Sequence, residues 1–168
     1  MTLKDYFLAQ LDREAALTRK AVQRVPEGKN GFKPHERSME LGYLAAVVAA
    51  MLGWISFMVE RDDLDLSQAA ALGFKPKVLN TPAELVASLE NAVALARKAL
   101  ESTTDEHLLT PWAFKNGGQT LQREPRCLMI SDGVFSHLAH HRGQLTVYLR
   151  LASSTVPALY GPSADEHF

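Results

Sequence analysis

The chain has 168 residues, enough for one domain with a proper hydrophobic core. Its 46% hydrophobic and 22% charged content fits a globular protein, and a net charge of −1 with no basic run interleaved with aromatic residues excludes a nucleic-acid footprint. A lone cysteine, Cys127, excludes an internal disulfide and fits a reducing compartment, and Met1–Phe7 lacks the basic-then-apolar order of a secretory leader, so a cytoplasmic location is expected.

Leu3 to about Val25 is expected to form a first helix. Phe7, Leu11, Ala15, Thr18, Val22 and Val25 recur at steps of three and four, while Asp12, Arg13, Arg19 and Lys20 take the other face. Thr2 is placed to cap it, and Pro26-Glu27-Gly28-Lys29-Asn30-Gly31 breaks it. A second helix should run from near Ser38 to about Arg61, with Tyr43, Leu44, Val47, Met51, Trp54 and Met58 on its core side. Leu41–Val59 is the most apolar stretch of the chain. Glu40 and Glu60 bracket it and no second span or basic flank accompanies it, so it reads as a core helix and no membrane is expected. Trp54 reads as a core anchor rather than a platform for a ligand.

The connection from Arg61 to Asn80 is long and permits a crossover before the third helix. Asp62, Asp63 and Asp65 read as a solvated acidic turn, because the register of a calcium loop is missing. Thr81-Pro82-Ala83-Glu84 is a capping box with proline at the first helical position. Val86, Leu89, Val93, Ala96 and Leu100 then predict a bundle seam. His107 to Glu124 has little helical period, and Trp112–Gln119 suggests a short hairpin. A fourth helix should run from about Arg126 to Leu151, weakened near its start by Ser131-Asp132-Gly133, with an extended tail from Ser153. The expected fold class is all-α: a four-helix bundle, one domain over residues 1–168, with long connections.

Three of the six histidines, His137, His140 and His141, fall within five consecutive positions of that last helix. At about 100° per residue, His137 and His141 project from one face, one turn apart. Cys127, Ile130, Val134, Leu138, Leu145, Tyr148 and Leu149 share this face, so both imidazoles should point inward. Inward histidines can be core residues, each bonded to a neighbour. Stacked at i and i+4, they can instead share a metal ion. Met129, Val147 and Leu151 form a second apolar flank with His140 among them. So wide an apolar surface makes the helix central or places it in a homodimer interface, with two-fold symmetry the default. Cys127, about 15 Å up the helix from His137, reads as a small buried hydrophobe.

Several of these residues carry a family likeness. The segments His137-x-x-His140-His141-Arg142-Gly143-Gln144, Tyr148-Leu149-Arg150 and Val156-Pro157-x-x-Tyr160-Gly161-Pro162-Ser163-x-Asp165-Glu166 resemble the DinB/YfiT-like family. Lys33-Pro34, Glu36-Arg37-Ser38-Met39, the run from Leu41-Gly42 to Gly53-Trp54, and Thr104-Asp105-Glu106-His107-Leu108 with Trp112 extend the likeness over nearly the whole chain. The resemblance implies a four-helix bundle, often dimeric, with a metal held by three histidines, two of them matching His137 and His141. It also implies metal-dependent transferases or isomerases that use low-molecular-weight thiols.

This sequence departs from that pattern at Val47, which stands where the helix 2 histidine belongs. Glu40, His35 or a residue of the His107–Glu124 loop would have to replace it. Two functional readings follow. In one, the metal site is degenerate, metal is weak or absent, and the protein is a dimeric binding or scaffold module of unassigned activity that can take a small molecule. In the other, His137 and His141 hold a divalent transition metal, zinc or nickel, in a thiol S-transferase or isomerase. Gln144 and His140 are then placed to orient the ligands or the substrate, and Arg142 to steer an anion or form a solvated salt bridge. Gly143 is expected to allow close helix approach.

Overall fold

Helix α1, Leu3–Val22, begins at a reciprocal cap: the Asp5 N–H donates to Thr2 Oγ1 and the Thr2 N–H to the Asp5 carboxylate. The computed structural model describes residues 1–72, 74 and 76–167. A second carboxylate, Asp105, accepts from the free N–H groups of Leu3 (2.9 Å) and Lys4 (3.1 Å), so a loop a hundred residues away completes the same helix end.

The apolar stretch forms α2, Leu41–Ala50, then a 3₁₀ turn at Met51–Gly53, then α3, Trp54–Glu60. Leu41, Leu44, Ala45, Val48, Leu52 and Ile55 are fully buried, as a helix apolar on every side requires. By length and composition Leu41–Glu60 could cross a membrane, but 78% of its apolar window is buried inside the protein.

Helix α4, Pro82–Ser102, carries the expected Thr81–Glu84 capping box. It packs along α1 and along α2–α3. Its inward row is Leu85, Leu89, Ala92, Ala96 and Ala99 with Leu100, whereas Val86 and Val93 of the expected seam are only partly buried. Ala92 is small because the backbone of the neighbouring helix lies close: a Cβ on Gly53 would sit 3.4 Å from the Ala92 Cα.

The expectation of an all-α chain fails between the long helices. Strand β1, Asp63–Asp65, pairs in parallel with β2, Pro111–Asn116, which pairs antiparallel with β3, Gln119–Pro125. A short helix, α5 (Asp105–Leu108), precedes β2. Sequence pattern conceals the sheet because β1 is three residues long and β3 is exposed along nearly its whole length, leaving no apolar alternation. The anticipated hairpin is present, and Gly117 (φ 58°) and Gly118 (φ 81°) supply the left-handed turn that two-residue hairpins need.

The acidic run is largely solvated, as expected, but it forms a strand edge rather than a turn, and its carboxylates have partners. Asp62 pairs with Arg126, whose side chain is buried, and Asp63 pairs with Lys115. Asp65 accepts from the N–H groups of Gly117 (2.9 Å) and Gly118 (2.7 Å) and from the Ser67 hydroxyl (2.7 Å).

The last helical segment is interrupted by a π turn: α6, Arg126–Ile130, the turn at Ser131–Ser136, then α7, His137–Leu151. A π turn takes up an extra residue and rotates what precedes it. Met129, expected on the flank, is therefore buried, while Leu128 is half exposed and Cys127 only partly buried. Downstream the phase holds, with Leu138, Leu145 and Leu149 fully buried.

Arg142 corrects another expectation, for it is neither solvated nor free to steer an anion. It is fully buried and donates to Glu14 Oε2 (2.5 Å), to Thr18 Oγ1 (2.8 Å) and to the Tyr160 hydroxyl. Gly143 lies on the exposed side, where a Cβ would meet nothing within 4 Å, so close helix approach does not explain it.

Two outcomes are expected. Glu14→Ala leaves the Arg142 guanidinium buried without its counter-charge and should cost about 3–5 kcal/mol of stability in chemical denaturation; a loss below about 1 kcal/mol would show that water reaches the site. Asp65 is held down to about 2, first by the Ser67 hydroxyl and then by the Gly118 and Ser67 amides. Because the folded pKa lies below the unfolded one, this support is complete above about pH 4 and is lost as pH falls through about 2. The Gly117 and Gly118 amide resonances should titrate over that window, and Asp65→Asn should abolish the titration.

Candidate functional site

The site lies where α7 faces the α2–α3 segment. His137 and His141 stand one turn apart with ring centroids 4.6 Å apart and planes at 41°. His141 is 8% exposed and His137 is half-buried. His140, the third histidine of the cluster, is exposed, its ring 5.1 Å from that of His141. It is set outside the pair and does not share the pair's direction.

Gln144, one turn on, binds His141: its Oε1 lies 2.8 Å from Nδ1. An amide oxygen can only accept, so Nδ1 carries a proton, and in the neutral ring the lone pair is then on Nε2. His137 is shifted below the ordinary histidine range, first by burial and then by the neighbouring His141, with His140 adding less and the Gly133 carbonyl opposing. Near neutral pH His137 is therefore an uncharged imidazole, able to donate at one nitrogen and accept at the other.

The pair opens onto a cavity of about 380 Å³ whose walls include Met39, Tyr43, Val47 and Trp54. The Tyr148 hydroxyl donates to the Met39 carbonyl (3.1 Å) and ties the start of α2 to α7. Trp54, expected in the core, instead stands in the cavity wall: its ring is 5.7 Å from His137 and stacks on Phe74 at 4.3 Å. Phe74 comes from the connection between α3 and α4. Nothing in the local pattern marked it, because that connection has no period and its partner is distant in sequence.

The donor set does not fit a three-histidine metal site. Val47 lines the same cavity as both histidines, and an isopropyl group offers no lone pair. Among the described residues no three His, Cys, Asp or Glu side chains gather where they could hold an ion. The candidate replacements are engaged elsewhere. Glu40 is exposed and lies 3.6 Å from Lys33. His35 Nδ1 accepts from the Arg37 N–H (3.1 Å), and His107 Nε2 binds the Val59 carbonyl (2.9 Å).

The model of the DinB family matches residues 1–167. This chain belongs to the DinB family. It is similar to the uncharacterized protein YrdA of Bacillus subtilis, 28% identical over 163 residues that cover 96% of this chain and 90% of that protein. Among solved structures, it resembles a DinB-like protein from Bacillus cereus with a TM-score of 0.71 at 21% identity, over 92% of this chain and 95% of the other. A DinB-like protein from Bacillus subtilis aligns with a TM-score of 0.65 at 18% identity, over 88% and 92% of the two chains. At these identities the structural likeness speaks for the DinB fold alone.

The Gln144 bond fixes a tautomer that can be read directly. Nitrogen NMR of the neutral protein should show His141 protonated at Nδ1, and Gln144→Leu should return it to a mixture; an unchanged tautomer would show that another group sets it.

Proposed function

We propose that this DinB-family protein binds a small molecule in the cavity between α2–α3 and α7, with a metal site that Val47 leaves incomplete. The carrying observation is the position of Val47 in one cavity wall with His137 and His141. Two imidazoles and a valine make a polar spot in an apolar pocket, suited to orienting a ligand through hydrogen bonds. An ion there would need waters or a ligand atom to complete its coordination. We take the working unit to be a four-helix bundle that acts as a cytoplasmic homodimer. Val147 (57% exposed) and Leu151 (54%), on the flank that carries His140, are the apolar surface that a second copy would cover.

A second reading has one observation in its favour. The His141–Gln144 bond leaves Nε2 bare, the arrangement that a metal-bound histidine also needs. A thiol S-transferase or isomerase dependent on zinc or nickel and a low-molecular-weight thiol would use it.

Elemental analysis separates the two. Protein purified without chelator should hold well under one transition-metal ion per chain, and Val47→His should raise zinc or nickel affinity at least about tenfold by adding a third imidazole. About one ion per wild-type chain, lost in His141→Ala, would overturn the proposal in favour of the metalloenzyme. A Val47→His protein that gains no affinity would show that position 47 does not face the pair.

A further inference from the structure

On the far side of Trp54 and His137 lies a second cavity of about 350 Å³. Met58, Leu64, Trp112, Phe114 and Met129 wall it, from α3, the small sheet and α6. Trp54, Leu66, Phe74 and His137 belong to both cavities, so His137 stands where the two meet, with His141 beside it in the wall of the first. Among the described residues no lysine, arginine, aspartate or glutamate lines either space.

These walls select by chemistry. A charged group seated there would lose its water and find no counter-charge among the described lining residues. Flat indole and phenyl faces with two thioethers favour an aromatic or branched apolar group. The volume is that of an ordinary small-molecule cleft, about 300–1,000 Å³. The irregular turn serves the same space: Ser131–Ser136 brings Met129 inward, and Gly133 leaves part of the wall bare. A Cβ on Gly133 would already sit 3.1 Å from the Met58 Cε, so any larger side chain would compete for the cavity.

We propose that the ligand is an uncharged, amphipathic small molecule: an aromatic or branched apolar body fills the second cavity, and one polar group meets His137 at the junction, on the side where His141 lines the first cavity. The seat of the polar end rests on the function proposed above; the seat of the apolar body stands on its own walls.

The test uses two dyes that differ by one charge, uncharged N-phenylnaphthylamine and its anionic relative anilinonaphthalene sulfonate. Trp54 and Trp112 are the chain's two tryptophans and both line the second cavity, so energy transfer to a bound dye reports on this place. The uncharged dye should bind at one equivalent, at least about tenfold tighter than the sulfonate, and shift both indole N–H resonances. Gly133→Val should weaken it at least about tenfold while the far-ultraviolet circular dichroism stays unchanged. Equal affinity for the two dyes, or indole resonances that do not move in the wild-type protein, would overturn the inference. Binding retained in Gly133→Val but lost in Val47→Phe would place the dye in the first cavity, overturning the inference and leaving the proposed function standing.

Discussion

The rotation of α7 decides what the histidines can do, and Arg142 decides the rotation. Arg142 follows His141 and so points about 100° away from it around the helix. Its guanidinium is fully buried against Glu14, Thr18 and Tyr160. Turning α7 by one residue would carry that charge out of its carboxylate's reach and leave Glu14 buried alone, a large penalty. With Arg142 held toward α1, His141 and His137 are left facing α2 and the cavity. A buried ion pair of this kind contributes register more than net stability, since its desolvation offsets much of its attraction.

Most residues that mark the family are therefore framework. Tyr160 reaches Arg142 and Glu14 from the tail, with its hydroxyl donating to Glu14 Oε2 at 2.8 Å. Asp165 holds Arg150 and the Val156 N–H, and Glu166 pairs with Lys20 and Arg24. Asp105 caps α1 from the first residue of α5. This framework makes no use of the cavity-facing side chains, and under the proposed function a single one of them on α2, Val47, leaves the metal site incomplete. The family's architecture does not by itself fix the chemistry of the cavity.

Where sequence and structure agree, the signal was local. The caps at Thr2 and Thr81 act within one turn of chain, the two-glycine hairpin is defined by its own backbone, and the inward pair at positions 137 and 141 needs only a regular helix between them. Where they part, the cause lies far away in sequence. Arg142 carries a charge whose partner, Glu14, comes from another element, so it read as a solvated residue, and the Arg126–Asp62 pair is just as remote in sequence. The sheet is too short on one side and too polar on the other to produce a period. Trp54 was readable as buried but not as a cavity wall, because Phe74 meets it from a connection with no pattern. Within the last helix, placing Cys127 inward and Met129 on the flank came from assuming a uniform step through Ser131-Asp132-Gly133.

That interruption has an evolutionary corollary. A helix with one surplus residue can lose it without shortening its usable length, because the segment ahead of the gap simply turns to close it. Deleting a single position between Ser131 and Ser136 would act as a ratchet click. It would swing α6 by about 100° while His137, His141 and Arg142 stayed anchored. Relatives could thus reshape the chamber beyond His137 through insertions and deletions of one codon, independently of the histidine pair.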